Sequence, residues 1–135
     1  MARKIFVNLP VKDLERSKAF FGRLGFSFDP QFTDATAASM VISDDIYVML
    51  LTRAKFEEIL PPAVRDSTRS TAVLTGLSCD SRAAVDEVVA KAVAAGARTF
   101  EPPEDHGFCY SHAFQDLDGH LWNWFWMDPS AVKPS

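Results

Sequence analysis

One rhythm constrains this chain more than any other feature. A β-type run, a capped amphipathic helix and further short strands occur in the first half and return in the second. The first run is Lys4 to Pro10, strand-forming residues stopped by a proline. Asp13 then stands where a helix N-cap belongs, Leu14, Phe20, Phe21 and Leu24 follow at helical spacing, and Gly25 closes the helix. Phe26 to Phe32 alternates apolar and polar residues like a half-buried strand. Ala37 to Ser43 and Ile46 to Thr52 read as a hairpin turned at Asp44-Asp45. In the second half Thr71 to Cys79 is the strand, and Asp80 or Ser81 caps the helix. Ala84, Val85, Val88, Val89, Ala92 and Val93 form its apolar stripe, and Gly96 ends it. A strand around Arg98 to Phe100 and a loop with Pro102 and Pro103 come next. The last hairpin pairs Phe108 to Asp116 with Leu121 to Met127 around Asp116-Leu117-Asp118-Gly119. The order of elements repeats; the residue identities largely do not. The expectation is an α+β chain of two βαβββ modules.

The modules are expected at residues 4–60 and 71–128, with a linker at 61–70 and a frayed tail at 129–135. Phe56, Ile59 and Leu60 suit one helical turn before Pro61-Pro62 breaks it, and the polar stretch Arg65 to Ser70 reads as the boundary. At 135 residues, 47% hydrophobic and 24% charged, the composition is that of a soluble globular domain. A net charge of -4 argues against a nucleic-acid partner, which needs a concentrated basic surface. The apolar runs are strand-sized, well short of the ~20 residues that span a bilayer. The first residues lack the long apolar core of a signal peptide. Cys79 and Cys109 form neither a metal-ligand spacing nor a disulfide framework, so a reducing, cytoplasmic setting is expected.

Two stretches carry a family resemblance. One runs from Leu9 through Pro10, Val11, Lys12, Asp13 and Leu14 to Phe21, with Leu24-Gly25-Phe26 behind it. The other is Phe114-Gln115-Asp116-Leu117-Asp118-Gly119-His120-Leu121-Trp122. In these the chain resembles the vicinal oxygen chelate superfamily, which includes glyoxalase I, the bleomycin-resistance proteins and the extradiol dioxygenases. The resemblance implies a cupped mixed sheet with helices outside and one small-molecule pocket inside, often in a homodimer. It implies no single reaction, because the superfamily hosts lyases, oxygenases, epimerases and plain binders.

Some members hold a divalent ion through His or Glu on the first and last strands of each half. Aligned through the two motifs, those positions fall on Phe6, Leu50, Leu74 and Asn123. Phe and Leu have no lone pair to give, and an Asn carbonyl is a weak ligand for zinc or iron. A two-residue slip along a strand keeps the same face and still supplies no imidazole or carboxylate. No metal or other cofactor is therefore expected.

His106 and His120 read as loop and turn residues. His112 shares a strand face with Tyr110 and Phe114. If that face looks into the cup, His112 and Tyr110 form a candidate catalytic acid–base pair; if it looks outward, they are packing or surface residues. Trp122, Trp124 and Trp126 share one face and Leu121, Asn123 and Phe125 the other, with the tryptophans expected toward the helix. Cys109 and His112 lie three apart on a strand, on opposite faces, and make no nucleophile–base pair.

The expected function is binding of a small apolar or aromatic molecule without a transition metal. Phe6, Leu50, Leu74, Leu121 and Phe125 are the candidate apolar lining, with Asn8 and Asn123 as polar fixtures. Bleomycin itself is a poor match, because a cationic drug favours a more acidic cleft. The alternatives are a lyase or dioxygenase-type enzyme of the same superfamily, and a non-catalytic dimeric sensor.

Overall fold

The computed structural model of the chain describes residues 4–59 and 73–131. The chain divides into two compact units, residues 1–70 and 71–135. The expected linker at 61–70 lies outside the described residues, as does the last part of the expected tail.

The first unit is a four-stranded sheet in the order β1-β4-β3-β2, with β1 at Ile5–Val11, β2 at Ser27–Phe28, β3 at Ala37–Val41 and β4 at Ile46–Thr52. β1 runs parallel to β4 and the other neighbours are antiparallel. Helix α1, Leu14–Arg23, connects β1 to β2. It starts where the Asp13 carboxylate accepts the Arg16 amide at 3.1 Å, satisfying one of the donors a helix start leaves open. Its apolar side buries Leu14, Phe20 and Phe21. The fully buried sheet face beneath carries Ala38, Met40, Val48 and Leu50. The strand expected over Phe26 to Phe32 keeps only two residues. Pro30 starts a 3-10 turn, Pro30–Phe32, that the Asp29 carboxylate caps through the Gln31 amide at 3.0 Å. The single turn expected near Phe56 is a longer helix, α2, at Arg53–Ile59.

The second unit repeats this plan. Its sheet order is β5-β8-β7-β6, with β5 at Leu74–Ser78, β6 at Glu104–Asp105, β7 at Cys109–Gln115 and β8 at Leu121–Met127. β5 is parallel to β8, and α3, Arg82–Ala94, packs against β7 and β8. Ser81 is the residue that caps α3, accepting the Ala84 amide at 3.1 Å. The core between helix and sheet holds Val85, Val89, Ala92, Phe114, Trp122 and Trp124. The strand expected around Arg98 to Phe100 reduces to one bridge, Arg98 to Gln115, and the edge strand sits later, within the acidic Glu104-Asp105 stretch that reads as a loop in the sequence. Residues Pro129–Ala131 of the expected frayed tail form a 3-10 turn. No helix of the described residues is long and apolar enough to cross a membrane.

Gly96 shows how tightly α3 is tied to the β7–β8 turn. Its φ of +111° lies in the region that disfavours side chains, and an added Cβ would stand 3.0 Å from Leu117 Cδ2. Gly96→Ala is expected to cost about 1–2 kcal/mol, from the left-handed backbone alone, read as a lower urea midpoint.

Candidate functional site

Strand register decides which side chains share a face, because partners across a ladder point the same way. In the first unit Phe6 pairs with Tyr47 and Asn8 with Met49, so these four stand together on one face. Phe6 is 52% exposed, and its ring stacks on Tyr47 with centroids 5.0 Å apart and planes 11° apart. The Lys4 ammonium lies over the Tyr47 ring, 5.6 Å from its centroid. The Asn8 amide reaches only the Phe6 carbonyl, in a long 3.4 Å contact, which leaves most of its hydrogen-bonding capacity open. Toward the far end of this face Pro10 and Leu51 are buried, so the open part is the end that carries Phe6 and Asn8.

Leu50 does not join them. It partners Leu9, lies on the opposite, helix-covered face and is wholly buried. The residues that do flank Phe6 and Asn8 are Tyr47 and Met49, three positions and one position before Leu50. The error is one of parity: a one-residue slip moves a side chain to the other face.

In the second unit four of the sequence-picked residues do come together. Leu74 pairs with Leu121, and Asn123 and Phe125 follow on the same face, with Gly76 beside Asn123. Leu74 is 58% exposed, while Leu121, Asn123 and Phe125 are half-buried. Gly76 leaves a shallow notch, since a Cβ there would stand 3.7 Å from the Phe125 ring. Among the described residues the Asn123 amide has no hydrogen-bond partner. The tryptophans take the other face, Trp122 1% and Trp124 5% exposed, as the alternation requires.

Tyr110 and His112 belong to that tryptophan face. Tyr110 pairs with Trp126 and His112 with Trp124, which puts both on the α3 side and takes them off the face of Asn123. There the Tyr110 hydroxyl donates to Asp86 of α3 at 2.5 Å, and this bond, with burial second, raises the phenol above its ordinary pKa. His112 Nε2 lies 3.0 Å from the Glu101 carbonyl. The candidate acid–base pair is thus built into the contact between helix and sheet. Arg82 completes that contact: its guanidinium lies over the Tyr110 and Trp126 rings, at 5.4 and 5.1 Å, and bonds Asp105 at 2.6 Å.

The turn motif is held from inside. Asp116 is 7% exposed, and its carboxylate accepts the backbone amides of Asp118 and His120 and the Trp122 indole N–H, at 2.9, 3.0 and 2.9 Å. Burial is the larger influence and raises its pKa, with the Trp122 bond acting in the opposite direction.

A chain of this topology matches solved structures over nearly its whole length. A hypothetical protein from S. aureus, SA1046, is 29% identical, with a TM-score of 0.73, covering 93% of this chain and 94% of that one. A glyoxalase/bleomycin resistance protein/dioxygenase family enzyme from Burkholderia phytofirmans PsJN is 19% identical, with a TM-score of 0.80, covering 93% and 99%. TioX from Micromonospora sp. ML1 is 23% identical, with a TM-score of 0.61, covering 97% and 98%. The family described as bleomycin resistance protein-like N-terminal matches residues 3–43. The chain thus shares the fold of the glyoxalase/bleomycin resistance protein/dioxygenase structures, and its first third matches the bleomycin resistance protein-like family model. No curated protein matches it.

The divalent ion found in part of the superfamily needs donors that these strands do not offer. Along β1 and β4 the first-unit face carries Phe6, Asn8, Tyr47 and Met49, and along β5 and β8 the second-unit face carries Leu74, Leu121, Asn123 and Phe125. Neutral amides are the best oxygen donors on these four strands; a carboxylate, Glu104, stands on the second-unit face at its β6 edge, paired with Ser111, and among the described residues no three His, Cys, Asp or Glu side chains gather. The residues present do not fit a transition ion.

Proposed function

We propose that this protein binds a small apolar or aromatic organic molecule on the sheet faces turned away from α1 and α3, without a transition metal. One observation carries the reading. Each of those faces holds a carboxamide, Asn8 or Asn123, with spare hydrogen-bonding capacity, set among part-exposed apolar side chains. Apolar area supplies affinity, and a few convergent polar groups supply orientation. The stacked Phe6 and Tyr47 rings add a flat surface suited to an aromatic ligand. The superfamily includes proteins whose whole task is binding, which agrees with a site that offers contact rather than a nucleophile or a ligated ion.

A thermal-shift panel of aromatic acids, phenols, quinones and alkyl aldehydes, run in chelator, tests it. A ligand present at 100 times its Kd stabilises by about 2.7 kcal/mol, a rise of several degrees in Tm. The rise is expected to shrink in Phe6→Ala and in Asn123→Ala. Shifts that appear only when a divalent ion is added would count against the reading.

A further inference from the structure

We propose that the α3 side of the second unit carries a separate ligand groove that takes a small organic amine with an apolar body. The groove is open to solvent and has a volume of about 500 Å³ between α3, the loop before β6 and the middle of β7. Asp86, Val89, Ala90, Val93 and Ala94 line it from α3, at spacings that keep them on one side of the helix. Val93 is 48% exposed there, an apolar side chain that the core does not use.

The polar groups are acceptors. His112 Nε2 faces a carbonyl, which only accepts, so Nε2 carries the proton and donates to Glu101. In the neutral ring Nδ1 is then the nitrogen left to accept. Asp86 accepts the Tyr110 hydroxyl on Oδ1, and among the described residues its other oxygen has no partner. Among the described residues no cation pairs with it: Lys91 bonds Glu87, and Arg82 bonds Asp105. An unpaired carboxylate and an imidazole acceptor beside an apolar wall complement an ammonium group joined to a hydrocarbon. An anion would meet repulsion from Asp86 and find no Lys or Arg among the described lining residues. This groove lies on the opposite side of the sheet from Asn123, so its occupancy does not depend on the binding proposed above.

The test is an amide-resonance titration of the full chain with 2-phenylethylamine, 2-phenylethanol and phenylacetate, three probes that share a ring and differ in the terminal group. The amine is expected to shift the amides of Asp86 to Ala94, Thr99 and His112 saturably. The alcohol is expected to bind about tenfold more weakly and the acid not at all. Asp86→Asn keeps an acceptor for Tyr110 and removes the charge, so amine affinity falls about tenfold while the alcohol is unaffected. Ala90→Trp fills the groove and abolishes both, with circular dichroism confirming that each variant is folded. The proposal is overturned if the amine causes no saturable shift at these positions, if the acid binds as well as the amine, or if folded Asp86→Asn retains full amine affinity.

Discussion

Trp122→Ala is expected to cost about 3–5 kcal/mol of unfolding free energy, enough to remove much of the stability of a domain of this size. Trp122 is 1% exposed and stands opposite Phe114, itself fully buried, in the layer between β7, β8 and α3. Two losses combine in the substitution: the cavity left by the indole, and the hydrogen bond its N–H gives to Asp116. Trp122→Phe separates them. It keeps most of the ring and removes the donor, so a cost of about 1–3 kcal/mol is expected from the unsatisfied buried carboxylate oxygen. Urea unfolding of the three proteins, with unchanged m-values, is the measurement.

Asp116→Asn is expected to cost about 1–3 kcal/mol near neutral pH, because an amide NH₂ takes the place of the oxygen that faces the Trp122 N–H. Its pH dependence carries more information than its size. Burial raises the Asp116 pKa above its ordinary 3.8, so the folded chain holds this proton where the unfolded chain has released it. The stability linked to this proton is therefore fully present below about 3.8 and is lost as pH rises through the raised folded value. Asp34, Asp105 and Asp128 are shifted the other way by hydrogen bonds, and their contributions are lost as pH falls. Asp116→Asn removes only the Asp116 slope. The stability gap between wild type and variant should thus narrow as pH rises through that window. A gap that widens would mean that the three hydrogen bonds outweigh burial.

The helices and the turn were legible because short-range chemistry specifies them. Asp13, Ser81 and the glycines at 25 and 96 mark helix ends by means that act within one turn of chain. The element order was likewise visible, and it matches the fold of the similar solved structures. The short strands were harder. Asp29-Pro30 converts most of an alternating segment into a capped 3-10 turn, and β6 forms from two acidic residues with no β propensity, held as an edge by pairing with Tyr110 and Ser111.

Face assignment divided along the same line. Counting outward from the tight Asp116 turn sets His112 opposite Trp124, so the two must share a side, and the tryptophan stripe already indicated the helix side. Leu50 had no such local anchor. Its register against β1 spans more than forty residues of chain, and only the parallel ladder with Leu9 fixes it. Apolar residues crowd both faces of β4, so hydrophobicity alone does not separate Met49 from Leu50.

Under the proposed function the open sheet faces take up an organic molecule and not a transition ion. Elemental analysis of the purified chain tests it most directly, after incubation with zinc, nickel, manganese or ferrous iron and removal of unbound ion. Metal content far below one ion per chain is the predicted result, with Tm unchanged by the incubation. One tightly held ion per chain, accompanied by a rise in Tm, would contradict it.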